Sequence, residues 1–417
     1  MNAEDVLRPG LAEKTVVVAG DGLVDCYIHG KVAECQDDCP KFVEESRAYC
    51  FGGAANAANC LINSGARVSQ LVVTTQTKTR FMANGKVLWR HDDPQDTGKD
   101  FLTSRQRFGH LLPSTDAVYL ADYAKGLFDD KFMEACISAC DVLGVPVVCD
   151  PKRHPKHCKG AVLKCNEEFT QRYAMTAHLP AAVATYGSAP PVVFDGGEAR
   201  IAGRDSDPPP VCINHIGAGD CFGAWLTLGL AHGLGLIAAA RLAHAAGRVY
   251  VQHLHNRPPW PHEIRKELDP VGGKVLFPGE VGALRRAEAG RVVFTNGVYS
   301  LPHAGHAWLF DWAKRQGDVL VVGVNSNVSA FRVKEGRFCL PLEQRLQLIA
   351  AQQSVDYVVE FCEDDPTELM KVLKPDCLVK GGDSPEFPPG SELCEYRRAP
   401  ESPFKVHSRK LVEAIRG

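Results

Sequence analysis

Asp220 follows three residues that carry almost no side chain, in the stretch NHIGAGDCFGAWLTLGLAHG (residues 214–233). Gly217, Ala218 and Gly219 leave the backbone bare where a strongly apolar helix begins, and backbone N–H groups at a helix N-terminus bind anions. A carboxylate beside such a loop can take the proton of an attacking hydroxyl group, while the amides and Mg²⁺ hold the charge of a transferred phosphoryl group. Asp220 could instead only cap the helix, but a cap does not require a bare loop before it. The stretch therefore predicts phosphoryl transfer with Asp220 as the base.

Two histidines stand three positions apart in a second stretch, TNGVYSLPHAGH (residues 295–306). The apolar run VVF ends just before it and the helical pattern AWLFDWAKR follows at once, so His303 and His306 lie between a buried strand and a helix start. Such a pair could bind a metal ion or cap the helix, although no carboxylate or cysteine stands at a matching spacing nearby. Residue type and position alone leave these interpretations open beside a catalytic one.

The elements that must position these residues are short β-branched runs that alternate with helical patterns. Uniformly apolar strands between helices indicate parallel sheets that are covered on both faces, so the sequence predicts an α/β protein. The strand-like runs are TVVVAG (15–20), AVYLADY (117–123), VPVVCD (145–150), VVFTNG (292–297), DVLVVGVNS (318–326), VDYVVEF (355–361) and DCLVKGGD (376–383).

A segment rich in proline and glycine, residues 256–282, separates two series of strands and helices. Such a composition is typical of a connection between domains. We therefore predict two domains, at residues 1–272 and 283–417. In the first, FGGAAN (51–56) opens a helix of small residues, which allows close approach of the backbone to a ligand or simply tight helix packing.

The composition is that of an ordinary globular protein. Hydrophobic residues make up 45% and charged residues 23% of the 417 residues, which argues against disorder. A formal net charge of -3 gives no electrostatic reason to expect nucleic acid or a membrane as partner. The sixteen cysteines are scattered, and Cys35 and Cys39 lack the second pair that a zinc site needs. The start lacks the features of a signal peptide and no window is long enough to span a bilayer, so we expect a cytoplasmic protein that binds small molecules.

GAGD before a small, apolar helix, with GGAAN far upstream, resembles the ribokinase-like sugar kinases over about residues 14–262. TKTR (77–80) and DYAKG (122–126) are more specific and resemble the kinase half of the bifunctional heptose 7-phosphate kinase/heptose 1-phosphate adenylyltransferase. This resemblance implies a ribokinase-like three-layer domain with Asp220 as the catalytic base. It implies that the sugar phosphate is bound by Asp25, Gly52, Gly53, Asn56, Lys78, Arg80, Lys125, Asp150 and Lys152. It implies that the nucleotide is bound by Asn166, Thr185, Gly187, Gly217, Ala218 and Gly219.

The order strand, TNG, two histidines and helix is similar to the HxGH motif of nucleotidyltransferases with a doubly wound, Rossmann-like fold. VVGVNSNVSAFRVKEGR (321–337) and LKPDCLVKGGD (373–383) resemble the adenylyltransferase half of the same bifunctional family. The resemblance implies that His303 and His306 are catalytic and stabilise charge when a sugar 1-phosphate attacks the α-phosphorus of ATP. It implies that the nucleotide is bound by Thr295, Asn296, Gly297, Lys334, Arg345, Lys380 and Ser408.

Some positions depart from the family pattern. Asn214 and Ile216 stand where the kinases usually have Asp and Thr, and KCNEEF departs from a TPN pattern at Asn166. Ser300 stands where the adenylyltransferases normally have Asp. The segment between GGAAN and TTQTKTR is short for a kinase with a full substrate lid. These departures bear on the activity of each half more than on its fold.

Three classes of function remain open from the sequence. The first is a bifunctional enzyme of ADP-heptose synthesis, which uses ATP and Mg²⁺ and acts on a sugar phosphate in both steps. The second is the same chemistry on another sugar phosphate, and the third is a nucleotide-binding regulator or scaffold with one inactive half. Retention of Asp220, His303 and His306 favours the enzymes. The sequence assigns no residue to a metal, and a homodimer is compatible with it.

Overall fold

The computed structural model describes residues 3–8, 13–33, 41–94, 101–152, 154–173, 181–203, 208–288, 290–335, 340–382 and 384–404. The chain divides into two compact units, Met1–Pro259 and Trp260–Gly417. Both units are α/β, as the alternation of strand and helix patterns predicted. Each of the seven strand-like runs contains a strand.

The N-terminal unit is built on a mixed ten-stranded sheet. Its strands are β1 (Thr15–Ala33), β2 (Lys41–Gly53), β3 (Arg67–Ala83), β4 (Lys86–Asp92), β5 (Ala117–Ala121), β6 (Val147–Asp150), β7 (Val162–Asn166), β8 (Ala182–Tyr186), β9 (Ala189–Asp195) and β10 (Glu198–Ile201). The strand order is β10-β9-β8-β7-β6-β5-β1-β3-β4, with β2 paired to β1. The strands from β3 through β1 and β5 to β8 run parallel, so their carboxyl ends share one edge.

Helices cover both faces of this sheet and make three layers. They are α1 (Ala54–Asn63), α2 (Phe101–Leu111), α3 (Asp130–Leu143), α4 (Glu167–Arg172), α5 (Ala218–Ala231) and α6 (Leu236–Tyr250). Residues of β5 alternate between the faces, because Val118 and Leu120 join the core under α2 and α3, whereas Tyr119 packs against α5. A Cβ atom on Gly223 would lie 2.4 Å from the Tyr119 hydroxyl, so a glycine at this point lets α5 approach the sheet closely.

The long strands β1 and β3 continue past the central sheet, where β2 and β4 pair with them in antiparallel orientation. The second half of β1 pairs with β2, from Gly22 opposite Gly53 to Ala33 opposite Lys41, and the end of β3 pairs with β4. Phe42, Phe81 and Trp89 pack together here, with ring centroids 4.4 to 5.5 Å apart. The short segment between GGAAN and TTQTKTR does not limit the extension, because β2 comes before that segment and β4 after it.

The C-terminal unit is built on a parallel six-stranded sheet. Its strands are β11 (Val275–Leu276), β12 (Val292–Gly297), β13 (Val319–Asn325), β14 (Tyr357–Phe361), β15 (Cys377–Lys380) and β16 (Glu395–Arg398), in the order β11-β14-β13-β12-β15-β16. Its helices are α7 (Pro261–Leu268), α8 (Val281–Ala287), α9 (Ala304–Lys314), α10 (Asn327–Val333), α11 (Leu342–Ala350) and α12 (Thr367–Leu373). One core lies under α9 and α11 and a second under α8 and α12, so helices cover both faces of a doubly wound sheet.

The division between the units falls before the position that the proline- and glycine-rich segment predicted. We placed the end of the first domain at residue 272, whereas α7 and β11 group with the C-terminal unit. One reason is that the His262 ring packs against Tyr357 of β14 with ring centroids 5.8 Å apart, and within the segment a buried ion pair joins Arg265 Nη2 to Glu280 Oε2 at 2.5 Å. In addition, β11 adds to the sheet beside β14. A segment rich in turn residues can therefore still belong to a packed unit.

This ion pair gives a prediction about fragments. Expressing residues 260–417 retains Arg265, whereas residues 276–417 leave the buried Glu280 carboxylate without its partner, which costs about 3–5 kcal/mol. We expect the longer fragment to unfold at a clearly higher urea concentration. Arg265→Ala in the longer fragment should reproduce most of the loss. Equal urea midpoints for the two fragments would show that the Pro- and Gly-rich segment is a linker after all.

Candidate functional site

The sheet of the N-terminal unit reverses its strand order between β1 and β5, because β1 leads to β3 on one side and β5 leads to β6 on the other. In open α/β sheets ligands bind beside the carboxyl ends of the strands at such a point. Asp21 in β1 accepts hydrogen bonds from the backbone N–H groups of Tyr123, Lys125 and Leu127, at 3.0, 3.0 and 3.2 Å. These hydrogen bonds attach the loop after β5 to β1, the strand on the other side of the point where the strand order reverses. Asp21 was not identified from the sequence, since this partner loop is a hundred residues away.

Asp220 lies in the first turn of α5, over this edge. Gly217 precedes the helix with φ of 82°, a left-handed conformation that glycine adopts readily. The Asp220 side chain is buried, and the Tyr123 hydroxyl donates to its Oδ1 at 2.5 Å. Burial raises the pKa of Asp220 to about 7, although the Tyr123 hydrogen bond and Lys164 lower it. A carboxyl group with a pKa near 7 is suited to accept and release protons at neutral pH.

Asn56 connects α1 to the glycine loop. Its Nδ2 donates to the Gly217 carbonyl and to the Tyr250 hydroxyl, both at 3.1 Å. A Cβ on Gly217 would lie 2.5 Å from that amide nitrogen, so the loop packs directly on the helix that FGGAAN begins. The two glycine-bearing stretches, FGGAAN and the loop before α5, therefore contact each other in the fold.

Three basic side chains lie around the loop after β5. Lys78 Nζ and Lys152 Nζ are 5.8 and 5.7 Å from the centre of the Tyr123 ring, and Lys125 follows in the same loop. Burial lowers the pKa of Lys78, with Arg90 contributing in the same direction. An anionic group between these ammonium groups would be held by charge-assisted hydrogen bonds. The cluster fits a phosphorylated ligand.

Asp25 and Arg80 form a buried ion pair, with Arg80 Nη1 2.5 Å from Asp25 Oδ1. The second oxygen of Asp25 accepts from Asn256 Nδ2 at 3.0 Å. Asn256 Oδ1 in turn accepts hydrogen bonds from the Tyr27 hydroxyl and from Asn214 Nδ2. Both Asp25 oxygens thus have protein partners, and a Cβ on the neighbouring glycine 52 would lie 2.5 Å from Oδ2. Asn256 was missed because it stands in the segment that we interpreted as a linker.

The other predicted residues of this half lie at the carboxyl edge of the sheet. Asp150 ends β6 and bonds to Lys164 Nζ at 2.8 Å. Asn166 ends β7 and uses its side chain to cap α4, since Oδ1 accepts from Phe169 N at 2.8 Å. Thr185 is at the end of β8 and donates to the Cys165 carbonyl at 3.1 Å. Gly187 follows β8 with open space around it, and Gly53 ends β2 directly before α1.

The C-terminal sheet reverses its strand order between β12 and β15, since β12 leads to β13 and β15 leads to β16 on the opposite side. Asn296 is the last residue but one of β12 and Lys380 is the last residue of β15. Lys380 Nζ donates to the Asn296 side chain at 2.5 Å and to its carbonyl at 3.3 Å. Burial lowers the pKa of Lys380 to about 8. Thr295 is fully buried, and Gly297 lies against the Tyr299 ring. The ammonium group of Lys380 therefore lies beside the TNG residues at the point where the strand order reverses.

His303 and His306 begin α9, beside this strand end. His303 Nδ1 accepts from Gly305 N at 3.2 Å and His306 Nδ1 accepts from His303 N at 3.3 Å, which forms a reciprocal cap. The two rings stack with centroids 3.8 Å apart, and Tyr299 packs edge-on against His306 at 5.1 Å. Because each Nδ1 accepts a hydrogen bond, the proton of a neutral ring is on Nε2, which is then a donor for an anion. The predicted helix-start position is confirmed.

A cavity of about 340 Å³ adjoins the histidines. It is lined by both rings and by apolar side chains of α9 and α11. Such a mixture of an apolar wall with few polar groups is typical of a small-molecule site. Ser300, which replaces the family carboxylate, is buried just before this region.

Arg345 does not reach toward a ligand surface. Its side chain is fully buried in α11, where it donates to the carbonyl groups of Val298, Asn325 and Leu340 at 2.7 to 3.0 Å. Nη2 also donates to Asn327 Oδ1 at 3.0 Å. The bonds to Val298 and Asn325 hold the loops that follow β12 and β13 at the points where they leave the strands. Lys334 is exposed at the end of α10, and Ser408 lies outside the described residues, as do Cys35 and Cys39.

The donor groups at both reversals are suited to ATP. Each site joins a helix N-terminus to at least one ammonium group, which is favourable for phosphates. Asp150 and Asp220 lie within electrostatic range of each other in the first site. Mg²⁺ is commonly held by one or two carboxylates together with substrate phosphates, so these residues fit it. Within the described residues, no three His, Cys, Asp or Glu side chains gather around one point.

Two family models match the chain, the pfkB family carbohydrate kinase model over residues 100–263 and the cytidylyltransferase-like model over residues 294–409. The bifunctional protein HldE of Caulobacter vibrioides is 30% identical over 440 aligned positions, which cover 90% of each chain. The protein of the same name from Helicobacter pylori is 30% identical and covers 97% of this chain and 99% of its own. Arabidopsis thaliana ribokinase complexed with ribose and ATP superposes with a TM-score of 0.48 at 16% identity, over 62% of this chain and 99% of its own.

No helix in the described ranges has the length and apolar character that crossing a bilayer requires. The thirteen cysteines within those ranges are all free thiols.

Proposed function

Because the chain belongs to the family of the bifunctional HldE proteins, we propose that it carries out two ATP-dependent steps of ADP-heptose synthesis. The N-terminal unit phosphorylates C1 of D-glycero-D-manno-heptose 7-phosphate. A separate phosphatase then removes the 7-phosphate, and the C-terminal unit transfers AMP from ATP to heptose 1-phosphate with release of pyrophosphate. The chain is thus a sugar-phosphate kinase and an adenylyltransferase.

The observation that carries the kinase step is the environment of Asp220. In this step the sugar hydroxyl oxygen attacks the γ-phosphorus of ATP, its proton passes to the Asp220 carboxylate, and ADP leaves. The backbone N–H groups of Gly217 and Gly219 are the proposed donors for the negative charge that develops on the transferred group, whereas the Ala218 N–H donates to the His215 carbonyl at 3.2 Å. Lys78 and Lys152, whose ammonium groups lie 5.8 and 5.7 Å from the centre of the Tyr123 ring, are the proposed donors for the phosphate that the sugar already carries.

The adenylyl step uses the start of α9. An oxygen of the sugar 1-phosphate attacks the α-phosphorus of ATP, and pyrophosphate takes the electrons of the bond that breaks. The Nε2–H groups of His303 and His306 and the ammonium of Lys380 are the donors for the charge on this crowded phosphate. Arg345 acts on this site through the loops that it holds.

Mg²⁺ when bound neutralises phosphate charge in the kinase step, and Asp150 and Asp220 are the side chains that would hold it with the substrate phosphates. Reduced thiols and the use of ATP support a cytoplasmic location. Exposed apolar side chains on the sheet extension, Tyr49, Phe51 and Trp89, support a homodimer, which light scattering of the purified chain would test.

The substrate is tested by supplying the purified protein with ATP, Mg²⁺ and one sugar phosphate at a time, and by measuring ADP and pyrophosphate separately. We expect ADP with heptose 7-phosphate and pyrophosphate with heptose 1-phosphate. Ribose 5-phosphate and hexose 6-phosphates are matched controls, since they offer the same phosphate on a shorter carbon chain.

Each other outcome points to a specific alternative. A higher kcat/KM with a control sugar would assign the same two-step chemistry to that sugar. Release of only one product with every substrate would mean that one half is inactive. The C-terminal half is the one in which Ser300 replaces a family carboxylate, so absence of pyrophosphate would be the outcome to expect from an inactive half.

A further inference from the structure

Asn256 is a buried asparagine in the segment after α6, and its backbone conformation is unusual. Its φ is 54° and that of the preceding His255 is 55°, so two consecutive residues with side chains lie in the left-handed region. Such conformations are unfavourable and persist only where the surrounding contacts enforce them. One such contact joins His255 Nε2 to His29 Nε2 at 2.8 Å. Strain that the fold maintains in this way points to a functional position.

The side-chain amide of Asn256 uses its whole capacity for hydrogen bonds. Nδ2 donates to Asp25 Oδ2 at 3.0 Å and to the Phe51 carbonyl at 2.9 Å. Oδ1 accepts from the Tyr27 hydroxyl at 3.0 Å and from Asn214 Nδ2 at 3.1 Å. A primary amide has two donor hydrogens and an oxygen with two lone pairs, so these four bonds leave the side chain a single orientation.

Asn214 determines the direction of these bonds. Its Oδ1 accepts from the backbone N–H of Ile216 at 3.0 Å, which leaves its Nδ2 group to donate to Asn256 Oδ1. Because the oxygen of Asn256 is turned toward Asn214, its Nδ2 group is turned toward Asp25. An ionised aspartate, the residue usual in the kinase family at position 214, has no hydrogen to donate to Asn256. The asparagine that departs from the family pattern therefore suits the partner that this chain has.

The Asp25 carboxylate is held from two sides. Arg80 Nη1 lies 2.5 Å from Oδ1, and Asn256 occupies Oδ2. An ionised carboxylate accepts at about four lone-pair positions, so roughly half of its capacity remains for hydroxyl groups of a ligand. A polar group that is already held in its binding orientation loses less conformational freedom on binding. Without Asn256, the carboxylate would keep Arg80 but could rotate about that contact.

We infer that Asn256 is a positioning residue of the kinase site, which holds the Asp25 carboxylate in the orientation that accepts hydroxyl groups of the sugar. Asn214 in turn sets the direction of the Asn256 amide. This inference rests on the proposed kinase function of the N-terminal unit, with Asp25 as a sugar-binding residue. Asn256 acts through Asp25 and requires no contact with the sugar or with ATP.

The first test replaces Asn256 by glycine, which adopts the left-handed conformation readily and removes only the side chain. We expect the KM for D-glycero-D-manno-heptose 7-phosphate to rise roughly ten- to hundredfold, the range for loss of a hydrogen bond to a charged group, while the KM for ATP stays near the wild-type value. Asn84→Gly is the matched control, because Asn84 has φ of 51° in the exposed turn between β3 and β4. It should change neither KM.

The second test replaces Asn214 by aspartate. The substitution keeps the size of the side chain and the hydrogen bond from Ile216 N, but it removes the donor and places a negative charge beside Asn256 Oδ1. The Asn256 amide should then turn its Nδ2 group toward position 214 and its oxygen toward Asp25. We expect the same selective rise in the KM for the sugar phosphate. If Asn256→Gly fails to fold, Asn214→Asp decides the question, since it changes a single atom group.

The outcomes separate the role of Asn256 from the function of the unit. An active wild type together with an unchanged sugar KM in the folded variants would overturn the positioning role. Equal rises in the KM for sugar and for ATP with a lower Tm would also overturn it, because Asn256 would then only support the fold. If the wild type releases no ADP with any sugar phosphate, the proposed kinase function fails and the positioning role falls with it.

Discussion

Replacing Asp220 by asparagine is expected to lower sugar-dependent ADP release by roughly 10²- to 10⁴-fold, the range for loss of a positioned base. The asparagine keeps the size of the side chain and can still receive the Tyr123 hydroxyl, so the fold around α5 should persist. Pyrophosphate release from a supplied sugar 1-phosphate should continue, because its proposed groups belong to the other unit. The two products from one sample thus separate a loss of chemistry from a loss of folding.

The pH dependence provides a further check on the same group. Since the pKa of Asp220 is raised to about 7, the wild-type kinase rate should rise with pH through about 7 as the carboxyl group ionises. The stability effect has the opposite direction. A carboxyl group whose folded-state pKa is raised from 3.8 binds more protons folded than unfolded between about pH 4 and 7, so the wild type loses stability across that window. Asp220→Asn removes this loss and should have the higher Tm above pH 7.

Asp141→Asn is the matched control, because Asp141 is an exposed residue of α3 in the same unit. It should change neither ADP release nor the pH dependence of Tm. An Asp220→Asn protein that keeps its sugar-dependent rate would reduce Asp220 to a residue that only supports the helix start.

The sequence predicted the elements that local pattern determines. Each apolar run became a strand, and GAGD and HAGH both became helix starts at the carboxyl ends of parallel strands. Glycine, a capping side chain and an apolar run act over only a few residues, so their meaning can be read locally. The family comparison then joined the two units into one bifunctional chain.

Contacts between distant segments could not be read in this way. Asp21 holds a loop about a hundred residues away, and Asn256 completes the surroundings of Asp25 from 231 residues away. Lys164 was not singled out in the sequence, and only the order of the strands places it beside Asp150. The type of a polar residue shows that it needs a partner when buried, but only the packing of the sheet identifies the partner.

Arg345 shows the same limit in the opposite direction. Its match to a basic family position implied a contact with the nucleotide, but its described hydrogen bonds go to three carbonyl groups and one amide of the protein. A residue that supports a site and a residue that touches a ligand can leave the same sequence pattern. Position in the family therefore indicates importance and leaves the kind of contact to the structure.

The second large effect concerns the two histidines at the start of α9. Replacing either His303 or His306 by alanine should lower pyrophosphate release by roughly 10²-fold or more, the scale of losing one preorganised donor in the transition state. Sugar-dependent ADP release should hardly change. Alanine also removes the reciprocal cap, which costs about 0.5–2 kcal/mol, so a lower Tm is expected in the same variants.

A double variant separates the two roles of these histidines. His303→Ser with His306→Gln creates the sequence pattern Ser-x-x-Gln, in which the serine and glutamine side chains can form the same reciprocal cap without any imidazole. If the rings donate to the phosphates, this protein should keep a Tm near that of the wild type and still lose pyrophosphate release as strongly as the alanine variants. If the histidines serve only the helix, the double variant should recover both Tm and pyrophosphate release, because the cap is restored. Recovery of the rate would therefore end the adenylyltransferase interpretation of the histidine pair, whatever the alanine variants show. His110→Ala, at an exposed histidine of α2, controls for the loss of an imidazole elsewhere in the chain.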